Sequence, residues 1–204
     1  MHRGDHITTV SASVTTDEIF DRYLKKAITE INRLSDEISQ AASARVPVLP
    51  SGHPLASIFL LKHSPQPQEV QEGIAFHGRA GNALIKSLQR LRVDPLEVYG
   101  TNCVKFAGGD EAESRPWLAR EIRIVQPKLV VVMGGEALRF LNELDFPLAK
   151  PLEARLGELQ PLTPTIEALH VPDIDSSLDE QPAKTRFWNA FKPVGPWWAE
   201  LPPY

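Results

Sequence analysis

The chain is expected to fold as an α/β domain around a mainly parallel, four-stranded sheet. Short apolar runs, ASIFLL (56–61), EVYGTN (97–102), LVVVM (129–133) and TIEALHV (165–171), read as strands. Stretches with apolar residues at helical spacing separate them, and that alternation is the signature of a parallel sheet with crossover helices. LVVVM carries no polar residue, as a strand covered on both faces requires. The 204 residues, 42% hydrophobic and 24% charged, suffice for one ordinary globular core.

Residues 1–14 read as a flexible tail, leaving 15–204 as a single domain. Thr15-Thr-Asp-Glu18 is a capping-box pattern, and Ile19, Tyr23, Leu24, Ala27, Ile28, Ile31, Leu34 and Ile38 then recur on one helical face to about Gln40. ARVPVLPSGHP (44–54) is a proline-bearing connector into the first strand. Residues 62–80 form an unusually long connection, and long connections in compact domains tend to be functional. It carries Phe76 between two small-residue neighbourhoods and closes on Gly-Arg-Ala-Gly. Leu84, Leu88 and Leu91 mark the next helix; Trp117, Leu118, Ile122 and Val125 mark another. Gly134-Gly135 turns LVVVM into EALRFLNEL. Ser177-Leu-Asp-Glu180 reads as a second capping box, opening a last helix with Phe187, Trp188 and Phe191. PVGPWWAELPPY (193–204) is expected to pack irregularly on the surface, with Trp197 and Trp198 stapling it down.

A net charge of −4 argues against non-specific coating of nucleic acid or membranes, while leaving room for a local basic patch. No apolar run is long enough to span a bilayer, and MHRGDHITTVSASV lacks the apolar stretch of a secretory signal. With a single cysteine, Cys103, internal disulfides are excluded and a reducing, cytoplasmic setting is the expectation. Cys103 lies in a predicted buried stretch and reads as a small core residue. The six histidines show no short metal-ligand spacing, so no metal site is expected.

Ligands of parallel sheets bind outside the carboxyl ends of the strands. Those positions hold the 62–80 connection with Phe76, then Asn102, Gly134-Gly135 and His170. The glycine pair is a strand-to-helix turn whose amides could face a phosphate, but it lacks a nucleotide-binding fingerprint. Lys184 and Arg186 form either a small basic face for DNA or a solvated helix face.

KHSPQPQEVQEGIAFHGRAG (62–81) resembles the first motif of the family 4 uracil-DNA glycosylases, GE-x-PG-x-x-ED-x-x-G-x-PF-x-G-x-AG. Pro65, Glu69, Gly73, Phe76, Gly78, Ala80 and Gly81 match without a gap. VYGTNCVKF (98–106) is similar to the family's VY-x-TN-x-VK, and RPWLAREIRIVQPKLVVVMGGEAL (115–138) to its RPWL…P-x-x-VV-x-LG segment. His170 stands at a strand end, where the family has the histidine of its HPS motif. The resemblance covers about residues 45–171 and implies a three-layer α/β/α fold. Departures are also plain. The family's four cluster cysteines are missing; Asp36 and Ser39, by a looser match, and Phe106 and Ser114 occupy those places, so packing and hydrogen bonds are expected to replace the metal staple. Lys62-His63 replaces the motif's Gly-Glu, Gln66 its second glycine, and the sequence after His170 departs from HPS-x-LLR.

The resemblance implies a monomer that acts on DNA without metal or cofactor, releasing uracil or a related deaminated base by base flipping. Such a site needs donors aimed at the departing base, a water-activating or negative group near the sugar, and a flat surface for the extruded base. Phe76 would stack on the base and Asn102 would read its Watson–Crick edge. His170 would donate to the carbonyl oxygen that gains charge, and Glu69 would orient water or stabilise the sugar cation. His63 would contact phosphate or take a catalytic role; Pro65, Gly134, Gly135 and Lys184 are the candidate DNA contacts. The rival expectations are a catalytically silent relative that binds nucleic acid or a free base, and a hydrolase of free nucleosides.

Overall fold

A computed structural model of the chain describes residues 15–202; the tail expected at 1–14 lies outside the described residues. Its centre is a six-stranded sheet in the order β1-β3-β2-β4-β6-β5. β2 (Ile58–Lys62), β3 (Val98–Asn102), β4 (Leu129–Met133) and β6 (Glu167–Val171) are mutually parallel. They are the four strands legible in the sequence. Two more complete the sheet, correcting the expected count: β1 (Ser51–Gly52) and β5 (Leu159–Pro161) pair antiparallel at the two edges. Each is two or three residues long and has no buried face, so no apolar pattern announces it.

Every side chain of β2 and β4 is buried because helices cover both faces. Ile58, Leu60, Leu129, Val131 and Met133 point one way. They meet α3 (Arg79–Arg90), α6 (Ile174–Ser177), α7 (Gln181–Phe191) and α8 (Val194–Ala199). Phe59, Leu61, Val130 and Val132 point the other way, against α4 (Glu111–Val125) and α5 (Gly135–Asn142). This is the expected three-layer arrangement. No described helix is long and apolar enough to cross a membrane.

α1 (Thr16–Ala41) starts at the predicted box, with Thr15 accepting from Glu18 N and Glu18 reaching back to Thr15 N. Its buried Leu34 and Ile38 close a third apolar cluster over Phe106, and the Trp117 ring meets Phe106 edge-on. Arg45 forks onto Glu113 with bonds of 2.8 and 2.9 Å, and Arg120 bridges to Glu37. Ser114, fully buried, accepts from Lys105 N. The two positions of the missing second cysteine pair, Phe106 and Ser114, are thus filled by ring packing and a hydrogen bond.

Three further expectations are revised at the C-terminal end. Ser177 closes α6 rather than opening a helix, because Asp173 competes as the cap and accepts from Ser176 N at 2.8 Å. The next helix begins only at Gln181. PVGPWW is helical rather than irregular; buried Trp197 donates its indole N–H to Glu167 at 2.6 Å and Trp198 packs against the same core, so the stapling expectation holds.

Candidate active site at the sheet's carboxyl edge

From β2 the chain crosses to β3 on one side, while β4 lies on the other side of β2. Such a reversal opens a crevice beyond the strand tips, where ligands of open α/β sheets bind. Lys62 ends β2 there, in register with Asn102 of β3 and Met133 of β4.

The long 62–80 connection is built, not loose. α2 (Pro67–Glu72) occupies its middle, and Gly73 ends that helix with φ 70°. Glu69 sits on α2 and is 1% exposed. Its carboxylate accepts from Gln66 N at 2.7 Å and from Phe76 N, and pairs with Lys62 Nζ at 2.7 Å. Three of roughly four acceptor positions are therefore taken by protein donors. Glu69 positions Phe76 and Lys62; little of it is left for orienting water.

Phe76 has φ 60°, a left-handed conformation that an aromatic residue adopts only under constraint. The constraint comes from Glu69 on its N–H and from two glycines beneath it. A Cβ at Gly100 would come within 2.6 Å of Phe76 Cδ2, and one at Gly81 within 1.9 Å of Phe76 O. The ring is held as a fixed wall of an apolar cleft of about 190 Å³, with Leu60, Leu84, Leu88 and Val98.

Asn102 is fully buried, and neither Nδ2 nor Oδ1 has a hydrogen-bond partner among the described residues. Leaving such groups unpaired costs about 1–3 kcal/mol each. Native proteins rarely tolerate this without a functional reason. Asn102 is fixed from behind: Lys105 Nζ donates to its carbonyl oxygen at 2.8 Å, to Thr101 Oγ1 at 2.6 Å and to Glu121 Oε2 at 2.7 Å. Lys105 and Glu121 are both fully buried. Burial, the dominant effect, raises the Glu121 pKa, and the Lys105 ammonium opposes it.

Strand alternation separates the expected trio. Asn102 follows Gly100, and so shares the sheet face of Phe76 and Lys62. His170 follows Ala168, which belongs to the opposite face. Val171 holds the Asn102 side and is packed in the core. Because Pro172 follows Val171, a His-Pro pair aligned on the proline falls on Val171, and a one-residue slip in a strand exchanges faces. His170 is 7% exposed, and among the described residues its ring nitrogens find no hydrogen-bond partner beyond the nearby Gly134 backbone. Burial lowers its pKa, partly offset by the Gly134 backbone.

His63 lies at the rim. Its Nε2 is 2.8 Å from Glu111 Oε1, and its Nδ1 is 2.7 Å from the exposed Ser64 hydroxyl. Glu111 also pairs with Arg139 at 2.6 Å. Hydrogen bonds from Arg139 first, then His63, hold the Glu111 pKa down to about 2. His63, Glu111 and Glu136 offer ligand atoms within 4.8 Å of one another, a grouping that sequence spacing hides. Arg139, however, already brings positive charge to both carboxylates.

Of the candidate DNA contacts, Pro65 stands half-buried in the bend before α2, and Lys184 is exposed on α7 beside a cleft shared with α3. The Gly134 amide donates to Val171 O at 2.9 Å, so it is spent on the sheet; Gly135 is exposed with open space around it. Beside Glu69 opens a polar cleft of about 530 Å³ that includes Asp173, Asp175, Asp179 and Arg79. Sequence reasoning missed Lys62 and Asp175: Nζ of Lys62 is 2.7 Å from Asp175 and 5.6 Å from the Phe76 ring centroid. The signal for Lys62 was its departure from the glycine of the first motif.

Comparisons with known proteins bear on the family of the chain. A Type-4 uracil-DNA glycosylase of Sulfurisphaera tokodaii is 28% identical over 99 residues, 44% of this chain and 45% of that protein. A Type-4 uracil-DNA glycosylase of Archaeoglobus fulgidus is 21% identical over 155 residues, 71% and 78% of the two chains. The chain thus spans less than half the length of the first relative. The family model described as Uracil DNA glycosylase superfamily matches residues 25–192, which takes in all six strands of the sheet, and the chain belongs to that superfamily.

Proposed function

We propose that the chain is a DNA glycosylase that hydrolyses the N-glycosidic bond of uracil, or of a related deaminated base, after the base swings out of the helix. The buried, unpartnered Asn102 amide carries this reading: one donor and one acceptor wait side by side at the switch point, and the Watson–Crick edge of uracil offers their complements. The rigid Phe76 ring on the same face supplies the stacking wall. In the step itself the C1′–N1 bond breaks with its electron pair going to the base. Water adds to C1′ and loses its proton to solvent; His63, held by Glu111 and edge-on to Phe140 of the opposite face, stands at the rim rather than beside the base. The two relatives, both Type-4 uracil-DNA glycosylases, support the substrate class.

The test is abasic-site formation in single- and double-stranded oligonucleotides bearing uracil, hypoxanthine or xanthine. Asn102→Asp, which replaces the donor by an acceptor, should lower uracil release by about 10²–10³-fold.

One observation favours a second reading, a silent nucleic-acid binder. Lys62 fills the place of the motif glycine, and the neighbouring cleft is lined by four carboxylates, Glu69, Asp173, Asp175 and Asp179. Titration of labelled uracil-DNA at several salt concentrations would then show salt-dependent binding without base release.

A further inference from the structure

With His170 on the far face of the sheet, the Asn102 amide meets only one of the two ring carbonyls of a departing uracil, and the other needs a further donor. When C1′–N1 breaks, the electron pair spreads from N1 onto the ring carbonyl oxygens, and a fixed donor there lowers the barrier. One cation occupies the right neighbourhood. Lys62 ends β2 beside Asn102, points to the same face and is 1% exposed. Its Nζ lies 5.6 Å from the Phe76 ring centroid, close enough to flank a base stacked on that ring. An ammonium has three N–H donors. Asp175 accepts one of them and Glu69 is ion-paired with the ammonium, each at 2.7 Å. These two carboxylates fix the chain and balance its charge, and the third N–H remains for a ligand.

We propose that Lys62 is the leaving-group catalyst of this site: its third N–H donates to the carbonyl oxygen of the departing pyrimidine and stabilises the anion formed there. Glu69 and Asp175 are positioning residues that aim it. The proposal rests on the glycosylase reading and adds a cation that the glycine at this place in the motif cannot supply.

The experiment compares uracil with 5-fluorouracil in the same oligonucleotide. Fluorine makes the base a better leaving group, so release of 5-fluorouracil depends less on a donor. In Lys62→Met, kcat for uracil should fall about 10²-fold, with 5-fluorouracil suffering at least about tenfold less and KM changing little. Lys62→Met/Asp175→Asn leaves the net charge of the cluster unchanged and replaces the single variant if that one unfolds. A variant that slows both bases by the same factor, or neither, overturns the role of Lys62 while leaving the glycosylase reading standing. A wild-type protein that releases neither base overturns both.

Discussion

Two buried lysines sit at the same edge of the sheet, on opposite faces, and their surroundings differ. Lys105 spends all three N–H groups on protein acceptors, Thr101, the Asn102 carbonyl and Glu121, and is fully enclosed with its carboxylate partner. Lys62 spends two, on carboxylates that line an open cleft, and its head flanks an aromatic ring. A saturated, sealed ion pair holds a strand tip in place, whereas an unsaturated one beside a cleft can meet a ligand. The sealed pair also serves the open one, because Lys105 grips the backbone of Asn102, which presents its amide next to Lys62.

The sharpest way to break this comparison is to remove one partner of the sealed pair. Lys105→Met strands the Glu121 carboxylate in the core and should cost about 3–5 kcal/mol in urea unfolding. Lys105→Met/Glu121→Leu should recover much of that, since apolar pairs often replace buried ion pairs without loss. If the double variant is no better than the single one, the pair is not acting as a closed structural unit.

A smaller effect is expected where the aromatic wall is seated. Gly100→Ala places a methyl 2.6 Å from the Phe76 ring, so the ring or the strand must shift. The expected destabilisation is about 1–3 kcal/mol, with loss of any stacking contribution to base release. Gly135→Ala, where nothing lies within 4 Å of the added carbon, is the control and should change stability little.

The smallest effect is a pH slope. Burial depresses the pKa of His170 below its usual value, so the unfolded chain binds the proton first as pH falls. The stability associated with neutral His170 is therefore complete above about pH 6.5 and declines as pH drops through that value toward the folded pKa. His170→Phe should flatten this slope in denaturation curves recorded between about pH 5 and 7. An NMR titration placing the folded His170 pKa above its usual value would contradict it.

Much of the fold was legible because the four parallel strands are short, rich in apolar residues and flanked by helical patterns. β1 and β5 were not, since two- or three-residue edge strands bury nothing. The cap at Ser177 was misplaced because two overlapping patterns competed and Asp173, nearer the strand end, captured the chain. Within the site, Phe76 and Asn102 were legible from their motif positions. His170 was also read there, but strand parity sends its side chain to the other face, a distinction a single residue of alignment decides. Glu69 stands among the exposed polar residues Gln66, Gln68 and Gln71, so nothing local announces its burial, which arises from Lys62, five residues before the helix begins. The tie between Lys62 and Asp175 spans 113 positions, a distance no local pattern reaches.

The central claim is that Asn102 and Phe76 form the pocket in which a deaminated base is held and released. Base release from a uracil oligonucleotide by the wild-type protein and by Asn102→Asp, read as alkali-sensitive abasic sites, tests it most directly. The account predicts release by the wild type and a loss of about 10²-fold or more in the variant. No release of uracil, hypoxanthine or xanthine from either single- or double-stranded DNA, or equal release by the two proteins, would contradict it.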